Sequence, residues 1–221
     1  MDAPSSYQPF LDQLIDFAST DARKEDLLAA KAEYFKCTGE VFADDKSFEM
    51  RMASFLEFYL FDRVSPMTGM TPAAEFVQVK RALGDEGAIA AIAGFTSTVH
   101  GLFEVRKIGK GSITLRELYS GKDHLVTERR QMAGLTKGDV IEARLLPFKD
   151  MLLFSGAFLY HPQEVGGLIR KEVKRRKKQE PSLAPSALTW DCSKMALKVE
   201  RYRQIPVEKI YDFAATRGLG A

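Results

Sequence analysis

The chain of 221 residues is long enough to bury one large core or two small ones, and its 45% hydrophobic and 28% charged residues are typical of a globular protein. Residues 1–6 lack the basic start and apolar run of a secretory signal, and no apolar run approaches the roughly 20 residues of a spanning helix, so the sequence predicts a cytoplasmic protein without membrane contact. The two cysteines, Cys37 and Cys192, are far apart, which argues against a zinc cage or a disulfide framework.

The net charge of +2 hides an asymmetry along the chain. Residues 1–95 contain 16 acidic and 9 basic residues, a net charge of −7, whereas the remainder contains 14 acidic and 23 basic residues, a net charge of +9. Such a separation is typical of two parts that dock on each other, of a part that meets an anionic partner, or of unevenly charged solvated surfaces.

Helical spacing of apolar residues predicts an N-terminal bundle. A first helix, capped by Ser5 or Ser6, is expected to run to about residue 19, and a second is expected to end at Gly39. Residues 48–63 (FEMRMASFLEFYLFDR) are apolar on several faces, so we expect a central core helix that is wrapped by its neighbours.

A fourth helix is predicted after the pair Thr71 and Pro72, because a capping residue followed by proline is a typical helix start. It is expected to end at Gly84, and the small apolar residues of 88–95 predict a short helix after it. The bundle is therefore assigned to residues 1–95.

After Thr96 the hydrophobic period changes to two-residue alternation, which is typical of strands. The five strand candidates are residues 97–108, 112–118, 124–128, 140–148 and 151–160. Short strands joined mainly by tight turns predict a small antiparallel β-barrel or a strongly curled sheet, and we assign a five-stranded barrel to residues 96–161.

Residues 162–221 are predicted to return to helix. A basic helix starts near Pro162, a proline-bearing linker covers 180–186, and a last long helix covers about 187–203, with a frayed end at 218–220. The predicted class is α+β: a helical bundle, a barrel and a C-terminal helical arm.

The strongest functional signal is the run RKEVKRRKK at residues 170–178, which carries seven basic side chains in nine positions. At helical spacing these bases share one ridge and its shoulders, and they repel one another unless an anion offsets them. The candidate anions are a phosphate backbone, an acidic protein surface that includes this chain's own first part, and solvent counter-ions. The predicted partner- or anion-binding residues are Arg170, Lys171, Lys174, Arg175, Lys177 and Lys178, with Arg176 beside them.

Motifs for catalysis are absent from the sequence, which has no nucleophile elbow, P-loop, dinucleotide fingerprint or zinc-protease motif. Three histidines, His100, His124 and His161, fall on or beside predicted strands without the spacing of metal ligands. We therefore predict no catalytic residues, no metal and no cofactor, and an enzyme that uses one of these histidines at the barrel edge is the third hypothesis.

The stretch FLEFYLFDR, the turn from Gly69 to Pro72 and the segments LFEVRKIGKGSITLRELYSGKDHLVTE and LTKGDVIEARLLPFKDMLLFSGAF together resemble a poorly characterised group of bacterial proteins. Some members of that group carry a C-terminal zinc-binding tail of the kind found on the SecA export motor, the SEC-C motif. The resemblance covers about residues 48–158 and implies an aromatic helix that leads into a β module. This chain lacks the cysteine-rich tail, so the resemblance implies a fold and no activity.

The sequence favours a non-catalytic interaction protein of adaptor or scaffold type, in which the basic helix and the C-terminal arm recognise a protein partner or a second copy of the chain. The alternative is a nucleic-acid-binding protein that uses residues 170–178 beside the barrel.

Overall fold

A computed structural model describes residues 6–128 and 134–214 of the chain. These residues contain eight α-helices and one five-stranded antiparallel sheet, which confirms the predicted α+β class. The predicted cap at Ser5 and the frayed end at 218–220 lie outside the described residues. The helices are α1 (Gln8–Ala18), α2 (Lys24–Thr38), α3 (Phe48–Phe61), α4 (Pro72–Ala82), α5 (Glu86–Ile92), α6 (Gly166–Gln179), α7 (Pro185–Arg201) and α8 (Val207–Ile210). The strands are β1 (Val99–Gly109), β2 (Ser112–Glu117), β3 (Asp123–Thr127), β4 (Val140–Phe148) and β5 (Met151–Tyr160).

The change from helix to sheet occurs where the sequence predicts it, but α5 ends earlier than expected, at Ile92, and a 3-10 turn follows (Ala93–Ser97). The turn presses against β4: a Cβ added to Gly94 would lie 2.1 Å from the carbonyl oxygen of Pro147. Only glycine fits so close an approach of two backbones, so this residue fixes how the helices meet the sheet.

The sheet has the strand order β3-β2-β1-β4-β5, with every neighbouring pair antiparallel. Within the described residues no backbone pairing joins the edge strands β3 and β5, although the two strands approach one another. The closed barrel that the sequence predicted is therefore not confirmed, and the sheet is open. Closure would require a ladder of hydrogen bonds between β3 and β5, and β3 has five residues against ten in β5.

Side chains of β4 alternate between two environments. Ile141, Ala143 and Leu145 pack into a core enclosed by the curled sheet itself. On the opposite face, Val140 belongs to a core shared with α6, α7 and α8, whereas Leu146 and Phe148 belong to the core of the first five helices. Glu142 and Arg144 lie on this same face between Val140 and Leu146, where the two helical cores meet.

The central helix is confirmed as α3, whose Phe55, Tyr59 and Leu60 are buried in the first core. Two charged residues of the same helix, Arg51 and Glu57, are also buried, which the apolar pattern does not predict.

The C-terminal helices pack on the rest of the chain. Leu188, Cys192 and Met195 of α7 are buried, and Arg201 at its end donates a hydrogen bond of 2.9 Å to Asp45 Oδ1. The division into parts at residues 95 and 161 stays a prediction.

Candidate functional site

The guanidinium of Arg144 lies at the junction of the two helical cores and is 1% exposed. Its Nη1 donates to Oδ1 of Asp62 at 2.9 Å and to Oγ1 of Thr98 at 2.8 Å. Its Nε donates to Oε2 of Glu57 at 3.3 Å. A buried charge is tolerated only when it is paired and hydrogen-bonded, and Arg144 meets both conditions through residues on α3, directly after α3 and directly before β1.

Glu57 accepts hydrogen bonds from groups on both β4 and β5. Besides Arg144, it accepts hydrogen bonds from the hydroxyl of Ser155 at 2.9 Å and from the backbone N–H of Ala157 at 3.1 Å, both on β5. Burial raises the pKa of this carboxyl group, against the opposing effect of Arg144 and the two hydrogen bonds. Glu57 thus joins α3 to the sheet at the same place where Arg144 does.

Glu142 is the second buried carboxyl group of this region. His100 Nε2 lies 3.2 Å from its Oε1, and the hydroxyl of Ser193 donates to its Oε2. Burial acts to raise the pKa of Glu142, but the hydrogen bonds and charge of His100, together with the hydrogen bond from Ser193, outweigh burial and lower it. Glu142 is therefore ionised at neutral pH.

A small polar cavity separates the two buried carboxyl groups. Its volume is about 10 Å³, close to the room that one water molecule needs, and Ser54, Glu57, His100 and Glu142 line it.

A larger cleft opens to solvent on the other side of His100, with a volume of about 840 Å³. It lies between the end of α3, the loop after it, the start of β1 and the start of α7. Its apolar walls are Phe58, Phe61, Val64, Pro66, Val99 and Trp190. A volume in the range of 300–1,000 Å³ is typical of a binding site.

Half of the residues that line this cleft are polar, and the charged ones have partners within the chain. Arg63 donates to Asp26 Oδ1 at 2.5 Å and to Glu33 Oε2 at 3.0 Å, and Asp62 is paired with Arg144. The polar lining consists of Glu33, Asp62, Arg63, Thr98, His100 and Ser186.

The two ring nitrogens of His100 differ in their hydrogen bonding. Among the described residues no group bonds to its Nδ1, and this nitrogen is not fully buried. Because the ionised Glu142 only accepts hydrogen bonds, Nε2 of His100 carries a proton and donates to it.

The basic run predicted from the sequence lies on α6, and its arginines have partners within the chain. Arg175 pairs with Glu172 and Glu180, and Arg176, which is buried, pairs with Glu172 and Asp191. Arg170 lies 3.5 Å from a carboxylate oxygen of Glu104.

The lysines of the run behave differently from the arginines. Lys177 donates to the carbonyl oxygen of Tyr119. Lys171, Lys174 and Lys178 are exposed, and no ion pair links them to any residue in the described ranges. At spacings of three and four positions they share one ridge of the helix.

The three histidines occupy different environments. His124 is buried against the ring of Phe103, inside the curled sheet. His161 is buried, with Nδ1 2.8 Å from the hydroxyl of Tyr211, and burial lowers its pKa to about 4. His100 alone lines the cleft, and over residues 6–128 and 134–214 no group of three His, Cys, Asp or Glu side chains is arranged to hold a metal ion.

Four residues of the site, Glu57, Asp62, Arg144 and Trp190, are missing from the sequence-based candidates. One signal was available for two of them: Glu57 and Arg144 are charged residues inside stretches that the apolar pattern predicts to be buried. A charge in such a place needs a buried partner, so it indicates a polar network. Asp62 and Trp190 have no comparable local signal.

Comparison with known proteins gives one finding. Residues 14–205 match the model of a family of unknown function (DUF7986). Neither the curated proteins nor the solved structures include a match. The resemblance to proteins with a SEC-C motif stays a prediction. In the part of the chain that the structure describes, no helix combines the length and apolar character needed to cross a bilayer.

Proposed function

The chain belongs to a family of unknown function (DUF7986), and we propose that it is a non-catalytic interaction protein that binds a segment of a protein partner in the cleft beside Trp190. The observation that supports this proposal is the cleft itself, an open space of about 840 Å³ with three aromatic rings in its walls. Tryptophan is enriched among the residues that dominate protein interfaces, because it covers a large apolar area at little entropic cost.

The rim of the cleft adds apolar surface that a partner would cover. Val64 lines the cleft and is 57% exposed. Removing apolar surface from water contributes roughly 25 cal/mol per Å², so a segment that covers this side chain gains free energy of binding. Because the cleft is open rather than enclosed, an extended segment of another chain fits it better than a small molecule, most of whose surface a binding site normally buries.

A displayed library of random 12-residue peptides, selected against the full chain, tests this proposal. Val64→Glu introduces a charge into the cleft at an exposed position, and Leu83→Glu is the matched control because Leu83 is 72% exposed and outside the cleft. We expect enriched peptides that bind Val64→Glu at least tenfold more weakly than the wild type and Leu83→Glu equally well. The proposal is wrong if the enriched peptides bind both variants equally, or if the library yields no binder.

Nucleic-acid binding is the second candidate, and the lysine ridge of α6 favours it. Lys171, Lys174 and Lys178 are exposed on one ridge and have no carboxylate partner among the residues described. Phosphate groups could take the place of that partner, and binding of this kind weakens steeply with salt.

A salt titration of binding to random single- and double-stranded oligonucleotides tests this candidate. The triple variant K171A/K174A/K178A is compared with K24A/K31A/K36A, which removes three exposed lysines of α2. If the ridge contacts phosphates, its removal reduces the slope of log affinity against log salt by about 2 to 3, since each phosphate contact contributes about 0.7 to 0.9. Absence of binding at low salt, or equal slopes for the two variants, would exclude this function.

A further inference from the structure

Two ion pairs contribute an acidic residue to the lining of the cleft, Glu33 paired with Arg63 and Asp62 paired with Arg144, and in both the base is more buried than that acid. The side chain of Arg63 is 11% exposed, whereas that of its partner Glu33 is 53% exposed. The side chain of Arg144 is 1% exposed, whereas that of Asp62 is 36% exposed. The carboxylates of these two pairs are therefore more accessible to a ligand than their guanidinium partners.

The charges around the cleft do not balance. The two guanidinium groups of Arg63 and Arg144 contact four carboxyl groups, which belong to Asp26, Glu33, Glu57 and Asp62. Burial raises the pKa of Glu57, but even with Glu57 neutral three carboxylates face two guanidinium groups. Among the residues that line the cleft itself, the two carboxylates of Glu33 and Asp62 accompany one guanidinium group, that of Arg63, and this excess of negative charge favours a positively charged ligand.

The exposed carboxylates of the cleft have the same preference for a donor. Glu33 and Asp62 both line the cleft and are partly exposed, and an ionised carboxylate only accepts hydrogen bonds. A ligand that offers N–H groups can donate to both of them, whereas a ligand that offers only acceptors cannot.

The aromatic walls suit the same ligand. Trp190 is half-buried and lies next to Phe58 at the mouth of the cleft. The aliphatic stem of a lysine or arginine packs on such rings while its charged end reaches outward, and an aromatic face also attracts a cation directly. Charge, hydrogen bonding and wall chemistry thus point to one kind of ligand.

We infer that the cleft recognises a basic segment of a partner protein, in which a lysine or arginine lies beside an apolar side chain. This inference rests on the proposed function and adds the chemical class of the segment. The basic side chain pairs with Glu33 and Asp62, and the apolar side chain packs between Trp190 and Val64.

The test uses those selected peptides whose binding Val64→Glu weakens. We expect Lys and Arg to outnumber Asp and Glu among them, and replacement of the basic residues of the best binder by glutamine to weaken binding at least tenfold. Glu33→Gln should weaken the same peptide about threefold or more. Glu49→Gln, which removes an exposed carboxylate of α3 outside the cleft, should leave its affinity unchanged.

The outcomes separate the inference from the function on which it rests. Cleft-binding peptides without an excess of basic residues, or with affinities that glutamine replacement does not change, would overturn the inference and leave the proposed function standing. Absence of any peptide sensitive to Val64→Glu would overturn the proposed function itself. Self-association of the chain that Val64→Glu abolishes would place a second copy in the cleft and overturn the assignment to a partner protein.

Discussion

The indole ring of Trp190 meets the ring of Phe58 edge to face, with centroids 5.9 Å apart and ring planes at 81°. Trp190 lies on α7 and Phe58 on α3, so the contact joins the C-terminal helices to the N-terminal bundle at the wall of the cleft. Trp190 is also the one tryptophan of the sequence. Its fluorescence therefore reports on the cleft without interference from a second indole.

Removal of the buried guanidinium should be strongly destabilising. Arg144→Met leaves Glu57 and Asp62 without their cation, and loss of one member of a buried ion pair costs about 3–5 kcal/mol of unfolding free energy. Urea unfolding followed by Trp190 fluorescence measures this loss. Arg116→Met is the matched control, because Arg116 pairs with Asp123 at the surface and its replacement should leave stability almost unchanged. Equal effects of the two substitutions would contradict the role assigned to Arg144.

The C-terminal helices should be part of the folded core. Leu188 of α7 is fully buried, so Leu188→Ala should lower the unfolding free energy by about 2–5 kcal/mol. Leu183→Ala, at a position 41% exposed in the linker before α7, should have little effect. If both variants were as stable as the wild type, α7 would be a detachable arm.

Stability should decrease in weak acid because of His161. Burial lowers the pKa of His161 from 6.5 to about 4, so the folded state favours the neutral ring. Above pH 6.5 neither state binds the proton; as the pH falls from 6.5 to 4 the unfolded state takes it up first, and stability is lost. The loss is about 3 kcal/mol at about 1.4 kcal/mol per pKa unit. His161→Phe should remove this part of the pH dependence in urea unfolding at pH 7, 5.5 and 4.5, and an unchanged pH dependence would contradict the assignment.

Gly94 should tolerate no side chain. An added Cβ would lie 2.1 Å from the carbonyl oxygen of Pro147, so Gly94→Ala forces the turn away from β4 and should cost about 1–3 kcal/mol. In Gly87→Ala the nearest atom to the new Cβ is 3.9 Å away, and alanine favours the helix, so this control should be neutral or slightly stabilising. Thermal unfolding of the two variants measures both effects, and equal stability of the two would contradict the role assigned to Gly94.

Local patterns predicted the elements of this fold well. The strands β4 and β5 match their predicted residues, because alternation and turn residues are properties of neighbouring positions. Closure of the sheet could not be predicted from such local patterns. It depends on hydrogen bonds between β3 and β5, which no spacing in the sequence specifies, and the described residues do not pair there.

Most residues of the site could not be predicted from the sequence for the same reason. Asp62 and Arg144 are 82 positions apart and meet only because α3 packs on the sheet, mainly on β5. The basic run shows the opposite case: its charges were evident, but the pairing of Arg176 with Asp191 was not. The arginines of the run pair with carboxylates of the same chain and Lys177 donates to a backbone carbonyl, so Lys171, Lys174 and Lys178 are left as candidates for contact with a polyanion.

A fluorescence titration of Trp190 with the best selected peptide tests the central claim most directly. The account predicts a saturable change of Trp190 emission in the wild type and in Leu83→Glu, and an affinity at least tenfold lower in Val64→Glu. Peptide binding that leaves Trp190 emission unchanged, or that Val64→Glu does not weaken, would contradict it.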